Sequence, residues 1–289
     1  MIQHENINYF NLKELTFDFY ALRLYFVATG PIHFRPGNPA NVLRGAFGAT
    51  LKRNASAETY ARIFEPKSQR GPSGLADPPR PFVFRARHLD GVVISPGDEF
   101  HFDANIFDTR GDTLSYFIQV FSEFGKAKLQ RVDGAIEVQR VCLDPTPTAV
   151  PKLRVDFLTP TELKSKDQIV ERPEFPILFG RIRDRLSTLS SLYGSGPLPI
   201  DFAASGERAA KIRLTHCEIR TVSVERRSGR TGQTHPIGGF VGSAEYEGEL
   251  AEFLPCLAAA RWTGVGRQTV WGKGEICAKI VDLSRRPSP

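Results

Sequence analysis

The 289-residue sequence lacks several features that would point to other classes of protein. Its cysteines, Cys142, Cys217, Cys256 and Cys277, are widely spaced and form no Cys-x-x-Cys pair, which argues against a disulfide framework or a zinc ribbon. No apolar run reaches the ~18 residues of a membrane helix, and the amino terminus lacks the basic and apolar segments of a signal peptide. These absences favour a cytoplasmic protein with reduced cysteines and no membrane partner.

Clustered metal ligands are also missing from the sequence. The six histidines are dispersed, at His4, His33, His88, His101, His216 and His235. No group of histidine and acidic residues has the spacing of a metal site. We therefore expect neither a metal nor another cofactor.

Charge is nearly balanced along the chain, with 38 Lys plus Arg against 32 Asp plus Glu and a net charge of +6. The balance alone decides little about partners, but its distribution is informative, since basic residues gather beside glycines. They do so in two places, at Arg226, Arg227 and Arg230 in a polar loop, and at Arg261, Arg267 and Lys273 near the carboxy terminus. Both groups are candidates for polyanion binding, although a solvated loop explains the first group equally well.

The most distinctive stretch is Thr263–Ile276, in which Gly264, Gly266, Gly272 and Gly274 alternate with basic and apolar residues. Glycine adopts positive φ readily and lets another backbone or a polyanion come close. Periodicity places a helix before the stretch, over 249–262, and a strand after it, over 274–281. A dinucleotide fingerprint or a P-loop would need a strand before the stretch and a helix after it, so neither fits. A plain helix-to-strand connection with solvated charges is the competing interpretation.

Hydrophobic periodicity predicts the same order of elements in both halves of the chain. The first half has strands at 20–28, 82–87, 99–107 and 135–143, with helices at 41–54, capped by Asn41, and after Asp112. The second half has strands at 153–158, 212–224, 237–246 and 274–281, with helices at 175–193 and 249–262. The order β-α-β-β-α-β is that of the ferredoxin-like unit, which the RNA recognition motif also uses. The sequence thus predicts an α+β protein of two tandem ferredoxin-like domains, 1–144 and 152–289, with a surface insertion near 65–81.

Gly-φ-Gly, about five residues with an Arg or Lys, and a second Gly-φ-Gly before the last strand resemble the carboxy-terminal signature of the RAMP superfamily of CRISPR-associated RNA-binding proteins. Three further stretches resemble the branch of repeat-processing endoribonucleases that cut precursor crRNA: Val42–Gly48, Leu192–Pro199 and Pro236–Gly242 with Tyr246–Gly248. The resemblance spans Leu22 to Ile280 and implies two ferredoxin-like domains. It implies CRISPR repeat RNA as the substrate, with metal-independent cleavage.

What the resemblance implies for individual residues is an RNA site that combines the first helix with the glycine-rich stretch. The RNA-binding set is Arg44, Arg53, Arg226, Arg227, Arg230, Arg261, Gly264, Gly266, Arg267, Gln268, Thr269, Gly272, Lys273 and Gly274. One position departs from the family, because many relatives have a histidine just after the Arg-Gly-Ala-Phe-Gly run, where this chain has Ala49.

Metal-free RNA cleavage uses the neighbouring 2′-hydroxyl as the nucleophile, so a proton acceptor, a proton donor and cations are needed. Histidine suits both proton roles because its ordinary pKa is about 6.5. His33, in the loop before the first helix, is the first candidate, and His235 is the second. Lys52 is the third catalytic candidate, as a cation at the scissile phosphate, and with Arg53 it offers a histidine-free alternative.

Three functions fit these observations. The first is an endoribonuclease that cuts CRISPR repeat RNA, with or without retention of the crRNA. The second is a non-cleaving crRNA-binding subunit of an effector complex, which the Ala49 departure favours. The third is a ferredoxin-like protein without RNA affinity. A monomer and a homodimer are both compatible with the sequence.

Overall fold

The structure is a computed structural model that describes residues 15–37, 39–66, 78–126, 129–144, 148–166, 168–227 and 234–281. Its first half, which we call the amino-terminal unit, contains these elements in order: β1 Thr16–Ala28, β2 Ile32–His33, α1 Pro39–Asn54, α2 Ala57–Phe64, β3 Phe82–Arg85, β4 Val93–Ile94, β5 Glu99–Ile106, α3 Thr113–Ser122 and β6 Leu129–Cys142. The second half, the carboxy-terminal unit, contains β7 Lys152–Thr161, β8 Lys164–Ser165, β9 Gln168–Ile169, α4 Phe175–Tyr193, α5 Phe202–Ala209, β10 Arg213–Arg227, β11 Thr234–Glu247, α6 Leu254–Thr263 and β12 Ile276–Ile280.

Each unit is built on one antiparallel sheet of four strands. The strand orders are β3-β5-β1-β6 and β10-β11-β7-β12. If the four strands of each sheet are counted in chain order, both sheets run 2-3-1-4, which is the ferredoxin-like arrangement. The predicted fold class, two tandem ferredoxin-like units, is confirmed.

Side chains on alternate faces of β1 pack into two different hydrophobic cores. Leu22, Leu24 and Phe26 point to one face and pack with α1 and α3, whereas Phe17 and Phe19 on the opposite face belong to the core of the carboxy-terminal unit. The ring of Phe19 lies 5.2 Å from that of Trp262 at the end of α6. In return, Val270 of the glycine-rich stretch belongs to the amino-terminal core. The two units therefore pack through exchanged hydrophobic residues, and the domain limits 1–144 and 152–289 stay a prediction.

Most predicted elements are present, with shifted ends. Helix α4 matches at both ends, but α1 begins at Pro39 rather than after Asn41, because proline has a helical φ and lacks only an N–H that the first turn leaves unpaired. Asp112 precedes α3 but makes no side-chain cap, and its carboxylate instead accepts a hydrogen bond from Arg62. Helices α2 and α5 and the short strands were not predicted. Most of the predicted insertion, 67–77, lies outside the described residues.

Candidate nucleic-acid interface

A cleft of about 520 Å³ opens where the two units meet. Its sides come from the segment before α1, from the turn after β3, from the hairpin β10–β11 and from the glycine-rich stretch. The polar and charged side chains that line it are Arg87, Asp90, Thr159, Arg220, Ser223 and Lys273. Three of these six side chains are basic and one is acidic, so the cleft suits an anionic ligand.

The glycine-rich stretch runs from the end of α6 to the start of β12, as predicted. Its four glycines all have positive φ, 74° at Gly264, 77° at Gly266, 76° at Gly272 and 69° at Gly274. Residues with a Cβ seldom adopt this conformation, and only Gln268, at φ 67°, does so within the stretch. The path of the chain beside the cleft therefore depends on glycine.

These glycines also allow protein segments to approach each other closely. A Cβ added to Gly266 would overlap the carbonyl oxygen of Glu162, and one added to Gly272 would lie 2.5 Å from the Cβ of Ala40 in α1. A Cβ on Gly274 would overlap the carbonyl oxygen of Val265. The predicted role in RNA binding is untested. What the geometry adds is a packing role, since the stretch is folded on itself and against α1.

Lys273 joins the glycine-rich stretch to the segment before α1. Its Nζ atom donates a hydrogen bond of 2.7 Å to the carbonyl oxygen of Gly37, and only 3% of the residue is exposed. Burial lowers the pKa of the ammonium group, and the nearby Asp90 opposes that shift. Lys273 therefore holds two sides of the cleft together rather than projecting freely into solvent.

The end of helix α6 is fixed by side chains from elsewhere in the chain. The carbonyl oxygen of Trp262 accepts hydrogen bonds of 2.9 Å from both Arg85 Nη2 and Asn105 Nδ2 of the amino-terminal unit. Arg185 of α4 donates from Nε to the carbonyl oxygen of Thr263 at 3.0 Å. The last carbonyls of a helix have no partner within the helix and attract cations. The two arginines meet that need and so fix where the glycine-rich stretch begins.

Arg267 is the most exposed side chain of the stretch among those predicted to bind RNA. Its guanidinium donates a hydrogen bond of 2.6 Å to the carboxylate of Glu162, and 57% of the side chain is exposed. Its backbone N–H donates to the carbonyl oxygen of the same glutamate at 3.0 Å. Next to it, Gln268 is partly exposed and Thr269 is buried. Of these three, Arg267 is positioned best for contact with a ligand.

Arg44 occupies a buried position on α1. Its guanidinium carbon lies 4.2 Å from the centre of the Phe64 ring and 6.0 Å from that of the Trp271 ring, and 8% of the residue is exposed. Such cation–π contacts tie α1 to α2 and to the glycine-rich stretch. The observed contacts of Arg44 thus give it a packing role, and its predicted role in RNA binding stays a prediction.

The three catalytic candidates lie on three different elements of the fold. His33 is exposed on β2, three residues before Pro36, which lines the cleft. Lys52 and Arg53 are exposed in the last turn of α1, whose first turn lines the cleft, so a rise of 1.5 Å per residue puts them roughly 18 Å from it. His235 pairs with Arg226 in the hairpin, about 10 Å beyond the cleft-lining Ser223 at the usual rise of a strand.

The basic group at 226–230 was predicted in a loop, and this was wrong for two of its members. Arg226 and Arg227 lie in β10, paired with His235 and Thr234, because the hairpin continues past the sheet. Arg230 lies outside the described residues. Arg261 is exposed on α6, and its guanidinium is 5.7 Å from the Trp262 ring.

Sequence reasoning missed two cations of the cleft, Arg87 and Arg220. Arg87 follows β3, has a side chain 54% exposed and lies 3.8 Å from the carboxylate of Glu275. Arg220 is exposed on β10 opposite Val241. Only the outward position of Arg220 in an alternating strand could have marked it, and many surface residues share that signal.

Within the described ranges, no helix has the length and apolar character needed to cross a bilayer. In the same ranges, no three His, Cys, Asp or Glu side chains are grouped so as to hold a metal ion.

Comparisons with known proteins agree with the fold. Residues 155–276 match the family described as CRISPR-associated endoribonuclease Cas6, and residues 17–155 match a family, AF_1859_N, described as an N-terminal domain. No curated protein matches the sequence significantly.

Solved structures of Cas6 proteins share the fold. Thermus thermophilus Cas6 superposes with a TM-score of 0.57 at 19% identity, over 91% of this chain and 99% of that chain. A Cas6 product complex gives a TM-score of 0.58 at 18% identity, over 90% of this chain and 100% of that chain. A chain of a partial Cas6-RT-Cas1–Cas2 complex gives 0.61 at 13% identity, over 94% of this chain but 47% of that longer chain. Residues 155–276, from β7 to the start of β12 and including the glycine-rich stretch, thus match the family of CRISPR-associated Cas6 endoribonucleases, and the chain as a whole shares the fold of Cas6 structures.

Proposed function

We propose that this protein cleaves CRISPR precursor RNA within its repeats, without a metal, by attack of a 2′-hydroxyl that leaves a 2′,3′-cyclic phosphate. The observation that carries the proposal is the cleft in which the glycine-rich stretch meets the start of α1. There the glycine-rich stretch lies beside Pro39 and Ala40 of α1 and beside the basic side chains of Arg87 and Arg220.

The cleft can hold a phosphate of the RNA backbone. Arg87 and Arg220 project from opposite units, so a phosphate between them would accept charge-assisted hydrogen bonds from both sides. Negative charge grows on the phosphate as the 2′-oxygen attacks, and fixed cations stabilise it without reorganisation. We assign this role to Arg87 and Arg220, with Lys273 fixing the shape of the cleft.

Proton transfer needs a group near the reacting oxygens. Among the described histidines, His33 is exposed and lies in the segment that leads into the cleft. It is our first choice for the base that takes the 2′-hydroxyl proton, or the acid that protonates the leaving 5′-oxygen. We assign Lys52, Arg53 and the hairpin residues Arg226 and His235 to RNA segments that flank the cut, because they lie too far from the cleft to share one phosphate with it.

A second candidate function is a crRNA-binding protein that does not cleave. It is favoured by one observation on α1, where the exposed position 49 carries the methyl group of Ala49 instead of an imidazole. Binding in the same cleft would be unchanged. Only the chemistry would be lost.

One experiment separates these functions. The protein is incubated in EDTA with the repeat RNA encoded beside its own gene and with the same RNA carrying a single 2′-deoxy nucleotide before the cut. We expect cleavage of the first RNA, a 2′,3′-cyclic phosphate on the product, and an intact second RNA. Binding with no cleavage of either RNA would support the second candidate. Cleavage that requires Mg²⁺, or that proceeds on the 2′-deoxy RNA, would contradict the mechanism.

The role of His33 is tested by single-turnover cleavage with protein in excess, comparing His33→Ala with His235→Ala. Loss of a proton-transfer group should slow cleavage by about 10²–10⁴-fold at unchanged affinity. His235→Ala should mainly weaken binding. A His33→Ala protein that cleaves at the parental rate would remove His33 from the mechanism.

A further inference from the structure

The open face of the amino-terminal sheet carries three rings in a row. Tyr25 on β1 and His101 on β5 are direct cross-strand partners, and their ring centres are 5.5 Å apart. The ring of His88, in the turn after β3, stacks on His101 at 4.4 Å with an angle of 20°. His88 Nε2 also donates a hydrogen bond of 2.8 Å to the carbonyl oxygen of His101. We call this set the ring row.

The ring row faces away from the helices of its unit. Its neighbours along the strands, Phe26 and Phe100, point to the opposite face and are buried with α1 and α3. Among the described residues, the carboxy-terminal unit contacts this face near Phe19, Arg85 and Asn105. His88 is exposed, and Tyr25 and His101 are half-buried. These rings are not part of either hydrophobic core, so packing does not account for them.

Position and charge connect the ring row with the cleft. His88 follows Arg87 directly, and Arg87 lines the cleft. Arg23 lies on the same face two residues from Tyr25, where its guanidinium makes two hydrogen bonds, of 2.7 and 2.9 Å, to Asp103. Burial, His88 and Arg23 together lower the pKa of His101, so its ring is favoured in the neutral form. A neutral imidazole can stack on a base without charge repulsion from Arg23.

β1 and β5 are the two central strands of the sheet. In RNA recognition motifs, which have the same topology, aromatic side chains on the two central strands stack two or three unpaired bases. We propose that the ring row stacks unpaired bases of the RNA strand whose phosphate lies in the cleft, so that the strand runs from Arg87 across β5 to β1. The proposal rests on the proposed function and adds to it a site for bases beside the site for the phosphate.

The test places 2-aminopurine at each unpaired position of the repeat RNA in turn, and compares the parent with Tyr25→Val and Tyr25→Phe. Valine removes the ring but keeps a residue that favours strands. Tyr20→Val is the matched control, since Tyr20 lies on the same strand and faces the other side. His101→Val tests the second ring.

We expect quenching of 2-aminopurine at two or three neighbouring positions in the parent and in Tyr25→Phe, and loss of that quenching in Tyr25→Val and His101→Val. Affinity should fall about 5- to 100-fold in these two variants and stay near the parental value in Tyr20→Val. If Tyr25→Val and His101→Val bind the RNA with parental affinity and quenching, the proposal that the ring row stacks bases is contradicted, and the proposed function is not. A parent that binds no repeat RNA would overturn the proposed function as well.

Discussion

Lys273 Nζ donates a hydrogen bond to the carbonyl oxygen of Gly37, and this contact joins two segments that are 236 residues apart in sequence. It connects the glycine-rich stretch of one ferredoxin-like unit with the entry to the first helix of the other. The cleft proposed to hold RNA lies at this junction. Its geometry therefore depends on a buried cation whose protonation can be changed.

Lys273 predicts a dependence of stability on alkaline pH. Burial lowers its pKa below the ordinary 10.5, so between the folded and the unfolded pKa the unfolded chain binds more protons. The contribution of Lys273 to the free energy of unfolding should therefore rise with pH up to about 10.5, and fall as pH drops through the folded pKa. Urea unfolding of the parent and of Lys273→Met from pH 7 to 10.5 measures the difference. A difference that is constant or that falls over this range would contradict the burial of a charged ammonium.

The position of Gly272 leads us to expect that Gly272→Ala, which adds one methyl group, lowers the free energy of unfolding. Alanine there would need φ near 76° and would place its Cβ 2.5 Å from the Cβ of Ala40. The left-handed conformation costs about 1–2 kcal/mol and the overlap about 1–3 kcal/mol more. The matched control is Gly97→Ala, where φ is 90° and no atom lies within 4 Å. Urea unfolding should show a larger loss of the free energy of unfolding for Gly272→Ala than for Gly97→Ala. Equal losses would mean that α1 shifts to accept the methyl group without loss of stability.

The third prediction concerns how much the hydrogen bonds of Arg85 to the end of α6 contribute to stability. Arg85→Met removes a charged donor from the carbonyls of Trp262 and Arg261, and should lower the free energy of unfolding by about 1.5–3 kcal/mol. Arg154→Met is the control, because its pair with Asp156 lies on the sheet surface and such pairs contribute about 0–1 kcal/mol. Thermal and urea unfolding check both variants. Similar losses would show that the capping bonds are replaced by water.

The fourth prediction concerns RNA binding by Arg267, with a substitution of its ion-pair partner Glu162 as the control. Arg267→Ala should weaken binding of repeat RNA by about 1–3 kcal/mol if the guanidinium contacts a phosphate or a base. Glu162→Gln keeps the guanidinium but removes its ion pair, so RNA affinity should stay equal or rise. Titrations at two salt concentrations check whether the salt dependence falls with the lost charge. If Arg267→Ala and Glu162→Gln both bind RNA like the parent, the glycine-rich stretch only connects α6 with β12.

The tandem fold was predictable because its buried faces repeat with the periods of helices and strands. Helix α4 was placed correctly at both ends, since Pro176 and Gly194 mark its first and last turns. The ends of β10 and β11 were not, because the hairpin runs on past the sheet through a polar sequence that lacks alternating apolar residues. Arg87 and Arg220 could not be found for another reason. Both line the same cleft only because of how the two units pack, and no local sequence pattern predicts that packing.

The exchange of core residues between the units also governs how the chain loses its structure. Phe17 and Phe19 are buried in the carboxy-terminal core, and Val270 is buried in the amino-terminal core. Neither half can melt without exposing side chains of the other, so calorimetry should show a single cooperative transition for the whole chain. A protease cut between Asp144 and Thr148 should leave two fragments that still migrate together until denaturant separates them.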